Sequence, residues 1–122
     1  MNFKHGSLEG IILNALWELE KSGVYKNSVK DVYDFLSKTE STKRAYTTIK
    51  TVMDRLFEKE VLLRIKHGKK FYYRTAYSNS DIVITSLKKI ATQYCGGDLN
   101  KLMHITKTMC EKDTGVVVHN AH

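Results

Sequence analysis

Between Ala45 and Phe57 the apolar residues Ala45, Ile49, Val52, Met53, Leu56 and Phe57 recur at three- and four-residue intervals, which is the repeat of one buried face of an α-helix. The same period predicts a first helix from Leu8 to Glu20. Its apolar stripe is Leu8, Ile11, Ile12, Ala15, Leu16 and Leu19, and Ser7 stands at the N-cap. Trp17 reads as a core or interface aromatic, and Gly23 ends the helix. The short stretch through Asn27 can then add a brief strand. A second helix starts at Ser28, with Asp31 three residues on as a capping-box variant and Val29, Val32, Tyr33 and Leu36 inward. Past Val61 the period drops to two. In Leu62 to Lys66, Leu63 and Ile65 alternate with Arg64 and Lys66; in Lys70 to Thr75, Phe71 and Tyr73 alternate with Tyr72 and Arg74. That predicts two half-buried strands joined by a tight turn at His67-Gly68-Lys69, where Gly68 supplies the backbone freedom.

Further along, Val83, Leu87, Ile90, Ala91 and Tyr94 share one side of a helix that Ser80 can cap. Leu99, Leu102, Met103, Thr106, Met109 and Cys110 share one side of another, capped by Asp98. Two short amphipathic helices cannot cover each other's apolar stripes in a monomer, so a second copy of the chain is the expected cover. The segment from Glu111 has no helical period and holds a β-branched run at Val116 to Val118. An extra strand, a docking segment and an irregular tail all stay open for it. The order helix, short strand, helix, turn, helix, hairpin is that of a winged helix-turn-helix. The fold expected is mainly α with a small antiparallel β wing, divided into a winged-helix part over residues 1–77 and a helical dimerisation region with an irregular tail over residues 78–122.

Charge says what the polar face of the Ala45 helix can meet. The 122 residues carry a formal charge of +7, and it is uneven: residues 1–77 hold 15 basic and 9 acidic side chains, residues 78–122 hold 5 and 4. Thr47, Lys50 and Thr51 point away from the apolar stripe, beside Lys43 and Arg44. This puts hydroxyls and cations at a helix N-terminus, whose unpaired N–H groups and dipole favour phosphate. Asp54 and Glu58 fall in the later turns, where they would repel DNA, so contact is expected from the first two turns only. Between Val61 and Tyr77 stand Arg64, Lys66, Lys69, Lys70 and Arg74 and no acid. A hairpin of one sign beside a Thr/Lys helix start points to double-stranded nucleic acid. His67 reads as a turn residue that can also meet phosphate.

Other chemistries find little. No nucleophile and base pair, Gly-rich phosphate loop or metal cluster stands at useful spacing, so neither an enzyme nor a bound cofactor or metal is expected. Two cysteines fifteen residues apart make neither a disulfide framework nor a zinc motif. No apolar run reaches the ~18 residues of a membrane span, and MNFKHGSLEG lacks the apolar core of a signal peptide, so a cytoplasmic protein without membrane contact is expected. Two alternatives stand beside a DNA-binding winged helix. One is a winged helix used as a protein-interaction module. The other is a metal- or redox-responsive regulator using Cys95 beside a Gly-Gly turn, Cys110 on the apolar stripe, or His119 and His122.

The segment AYTTIKTVMDRLFEKEVL followed by GKKFYYR, together with ALWELEKSG near the start, resembles the BlaI/MecI/CopY family of bacterial winged-helix repressors over residues 7–77. A weaker echo is Cys95-Gly96-Gly97-Asp98-Leu99, where the family often carries Gly-Gly between two dimerisation helices. The resemblance implies a homodimer on an inverted-repeat operator, with Tyr46, Thr47, Thr48, Lys50 and Thr51 facing the major groove and Lys66, Lys69 and Lys70 on the flanking backbone. Penicillinase repressors of this family are inactivated by cleavage between an Asn and a Phe in the second dimerisation helix; the matching positions here are His104-Ile105. Its copper repressors end in a Cys-x-Cys pair that this chain lacks. An inducer or a regulatory protease stays open as a further partner.

Overall fold

Hydroxyl and carboxylate side chains start most of the helices. In the computed structural model, which describes residues 7–39 and 44–113, Ser7 adopts extended backbone and its hydroxyl accepts from the Gly10 amide at 3.2 Å, opening α1 (Leu8–Lys21). Ser28 and Asp31 cap α2 (Val29–Thr39) reciprocally: Asp31 N–H donates to Ser28 Oγ at 3.1 Å, and Ser28 N–H donates to Asp31 Oδ2 at 2.8 Å. Helix α3 (Tyr46–Glu58) follows Ala45 with no side-chain cap. The hairpin β1 (Leu62–His67) and β2 (Lys70–Thr75) is antiparallel, with Arg64 opposite Tyr73 and His67 opposite Lys70. Helices α4 (Asn79–Tyr94) and α5 (Leu99–Asp113) complete the described residues. The result is the mainly helical fold with a small β wing that the hydrophobic pattern predicts.

Three helices and the hairpin share one core. It draws Ile12, Leu13, Ala15 and Leu16 from α1, Val29, Val32 and Leu36 from α2, and Ile49, Val52, Met53 and Leu56 from α3. Leu62 and Tyr73 close it from the hairpin. The stripe of α1 is rotated from its predicted position: Leu13 is buried, while Leu8, Ile11 and Leu19 are only half-buried. Asn27 forms a single bridge to β2, with its N–H donating to Tyr73 O at 3.2 Å and Tyr73 N–H donating to Asn27 O at 2.8 Å, so the brief third strand is one residue long. Glu20 ties the end of α1 to β2 by accepting from Thr75 N–H at 2.8 Å and from its hydroxyl at 2.6 Å. The Trp17 indole N–H donates to Tyr77 O at 3.0 Å.

The exit from α3 sets where the wing begins. Glu60 N–H donates to Phe57 O and Val61 N–H donates to Leu56 O, both at 2.9 Å, which is the Schellman pattern of a helix end. Its left-handed position is held by Glu60 at φ 63°, where glycine is the unstrained residue.

The chain divides into two units, one running through Asn79 and one from Ser80 onward. In the second, Asp98 Oδ1 accepts from the amides of Asn100 at 2.9 Å and Lys101 at 3.3 Å and so caps α5 as predicted. Ser80 does not cap α4: that helix already begins at Asn79, which puts Ser80 inside its first turn. Helix α5 continues through Asp113, past the point at Glu111 where the apolar repeat fades, because Glu and Lys are good helix formers without it. The stretch from Thr114 to His122, with Val116 to Val118, His119 and His122, lies outside the described residues.

Glu60→Gly is expected to raise the unfolding free energy by about 1 kcal/mol, by removing left-handed strain from the α3 exit. Urea denaturation of the two proteins checks this, and an unchanged or lowered midpoint would contradict it.

Candidate nucleic-acid interface

The hairpin is fastened to α3 through an arginine. Strand β1 turns Leu62 and Arg64 toward the helix and leaves Leu63 and Ile65 outside, 45% and 50% exposed. The Arg64 guanidinium lies 3.9 Å from the centroid of the Phe57 ring and 4.1 Å from that of Phe71. A guanidinium is planar and weakly hydrated on its faces, so it packs between aromatic rings as a lysine cannot. Its NH1 stands 3.8 Å from Asp54 Oδ1 of α3, with only 23% of the side chain exposed. These contacts are why the inner face of β1 can carry a cation.

Asp54 is the junction of the site. Besides Arg64, it accepts from the Tyr73 hydroxyl at 3.2 Å on Oδ1 and from the Lys50 ammonium at 3.1 Å on Oδ2. The hydrogen bond to Asp54, and then its charge, raise the Lys50 pKa above the ordinary lysine value. Burial pushes the Tyr73 phenol up, with Asp54 adding to the rise and Arg64 opposing it.

A groove of about 550 Å³ runs along this junction. Tyr46, Lys50, Asp54 and Glu58, successive residues of one α3 edge, form one wall. The wing residues Lys69, Lys70 and Phe71 form the other, and Ser28 to Lys30 at the start of α2 close the end. The groove thus brings Tyr46 and Lys50 together with Lys69 and Lys70. Thr47, Thr48 and Thr51 are exposed in the first two turns of α3 outside it, the Thr51 hydroxyl donating to Thr47 O at 2.9 Å. Lys66 and His67 are exposed on β1, Lys66 within 5.9 Å of the Phe71 ring and His67 edge-on to Tyr72. Tyr46 packs edge-on against Tyr33, with 5.8 Å between ring centroids. Arg44 is half-buried, and its Nε has no hydrogen-bond partner among the described residues. Lys43 lies outside the described residues.

Three members of this site escape a reading of the sequence: Lys30, Arg64 in its inward role, and Asp54 as an acceptor. The i,i+4 spacing of Lys50 and Asp54 is a readable signal. Arg64 gives none, because its partners come from two other elements, Asp54 and Phe57 from α3 and Phe71 from β2.

In the second unit, Val83, Leu87, Ile90, Leu99, Met103 and Met109 are all exposed, as are Tyr94 at 76% and Thr106. Leu102 is half-buried, and Ala91 is buried in its own chain. Cys95 is buried beside the Gly96-Gly97 turn, while Cys110 is exposed and not a core residue of this chain. His104 and Ile105 are exposed on α5. Among the described residues no group of three or more His, Cys, Asp or Glu is gathered to hold a metal, and no helix is long and apolar enough to cross a membrane.

Compared with known proteins, the family model for the penicillinase repressor matches residues 5–114 of the chain. No curated protein sequence matches it.

Arg64→Lys keeps the charge and removes the stacked plane. Amide hydrogen exchange across β1 and β2 is expected to speed up about fivefold, a loss of about 1 kcal/mol of local stability, while exchange in α1 stays as it was. Unaltered exchange in the hairpin would show that the stack does not hold the wing.

Proposed function

The chain belongs to the penicillinase repressor family, a family of DNA-binding transcriptional repressors, and from that premise we propose that two copies of it occupy an inverted-repeat operator and repress by blocking it. The observation that carries this reading is the groove shared by the Tyr46 and Lys50 edge of α3 and the Lys69 and Lys70 wing tip. A duplex that admits the start of α3 to its major groove brings its phosphates to the wing. In this reading Tyr46, Thr47, Thr48, Lys50 and Thr51 face base edges and the adjoining backbone. Lys43, Arg44, Lys66, His67, Lys69 and Lys70 hold phosphates. The start of α3, free of a side-chain cap, offers backbone N–H groups to the same anions.

The second unit is the assembly element of this proposal. The open faces of α4 and α5, with a groove of about 390 Å³ lined by Leu87, Leu99, Leu102 and Met103, are covered by the same faces of a second copy. A two-fold dimer then presents two α3 helices to half-sites about one DNA turn apart, ~34 Å, or a multiple of it.

Salt titration of duplex binding tests the reading directly. If the dimer neutralises ~8 phosphates, log K falls with log salt at a slope on the order of −7; a flat dependence would overturn it. On an operator selected from a random duplex pool, Thr47→Ala or Lys50→Ala is expected to cost roughly 1–3 kcal/mol, mainly on that operator. Lys69→Ala weakens all sequences nearly alike. Equal losses on operator and random DNA for all three would remove the base-reading role. Leu87→Asp is expected to give monomers in sedimentation and to abolish tight operator binding without unfolding the winged-helix unit; a wild type that sediments as a monomer would refute the dimer.

A further inference from the structure

Asp54 stands where a DNA-binding groove would be expected to exclude a carboxylate. Resting on the DNA-binding reading above, we propose that Asp54 is a specificity-determining residue: its carboxylate occupies Lys50 and Arg64 so that neither grips phosphate, and it yields Lys50 only to a base edge.

The geometry divides the two cations by how freely they can leave. Lys50 meets Asp54 Oδ2 at 3.1 Å from the next turn of the same helix, with 56% of its side chain exposed. Exposed ion pairs of this kind contribute little, so a well-placed acceptor can draw the ammonium away. Arg64 cannot follow, because its guanidinium is packed between Phe57 and Phe71. When Lys50 swings out, Asp54 Oδ1 keeps the Tyr73 hydroxyl at 3.2 Å and Arg64 at 3.8 Å. The carboxylate is therefore not stranded by the exchange.

The consequence for DNA follows from what each contact recognises. Phosphate contacts supply nearly all sequence-independent affinity, whereas a lysine on the O6 and N7 of guanine reads sequence. A fixed negative charge in the groove opposes phosphate wherever the protein lands. Lys50 leaves it for the correct base and stays paired elsewhere. The carboxylate thus lowers background binding more than operator binding, which is specificity through a repulsive element.

The test uses the full chain, a duplex selected from a random pool by the wild type, and a random duplex of the same length. Asp54→Asn is expected to raise affinity for random DNA about tenfold and to steepen its salt slope by about 2, one added phosphate contact per subunit of the dimer. Operator affinity rises less, so the ratio of the two falls about fivefold. Adding Lys50→Ala to Asp54→Asn is expected to cancel the gain on random DNA. Lys50→Gln alone is expected to weaken the operator complex and leave the random-DNA slope as in the wild type. An Asp54→Asn protein with an unchanged or higher ratio would overturn the proposal, as would a shallower random-DNA slope in Lys50→Gln. Those results with normal wild-type binding remove this role alone, whereas a wild type showing no salt-dependent duplex binding removes the DNA-binding reading itself.

Discussion

The packing of Arg64 between Phe57 and Phe71 is the contact on which the geometry of the groove depends. A two-stranded hairpin has too little buried surface to be stable alone, and its position is only as fixed as its attachments. Here Leu62 and Tyr73 enter the core, Asn27 bridges one backbone edge, and Glu20 holds the end of β2. Those contacts secure the base of the hairpin. Arg64 is the next inward residue of β1 after Leu62, and it joins the wing sideways to α3. An aliphatic residue there could pack against Phe57 and Phe71 but could not also reach Asp54. A lysine could reach Asp54 but has no flat face to stack. Arginine alone does both.

Much of the fold is legible in the residues because it rests on local rules. The Ser7 cap, the reciprocal Ser28 and Asp31 box and the Asp98 cap each involve side chains within a few positions of the backbone they satisfy, and the turn at Gly68 rests on a positive φ that glycine adopts without strain. What depends on contacts between elements is harder to read. Alternation in β1 separates Leu63 and Ile65 from Arg64 and Lys66 correctly, yet it does not say which set faces inward. Hydrophobicity points to the leucine side, but the interior offered a place for a stacked cation. The same limit applies to Cys110, whose place on an apolar stripe says nothing of whether this chain covers that stripe.

The candidate site shows the same division. The exposed threonines of α3 and the lysines of the wing follow from period and charge. Asp54, judged by sign alone, is a repulsive element at the far end of the DNA-facing edge. Its partners add to that meaning: the carboxylate also holds Lys50 and Arg64, beside the Tyr73 hydroxyl, and so takes two cations out of the count available to phosphate. A charge count over the groove therefore overstates the field that an approaching duplex meets.

The division of the chain into two units makes energetic sense in that light. In the proposed complex a single reading unit offers a duplex a few exposed lysines and hydroxyls, with two acids on the same helix edge, so a modest affinity for one half-site is expected. Joining two such units through the open faces of α4 and α5, as proposed, converts the second half-site contact into an intramolecular event at high effective concentration. Selectivity gained at each half-site is then multiplied, while random DNA gains only from the electrostatic part that Asp54 and Glu58 hold down. On this proposal, weak reading and assembly into a dimer are complementary: a unit with a more positive groove would bind half-sites more tightly and distinguish them less.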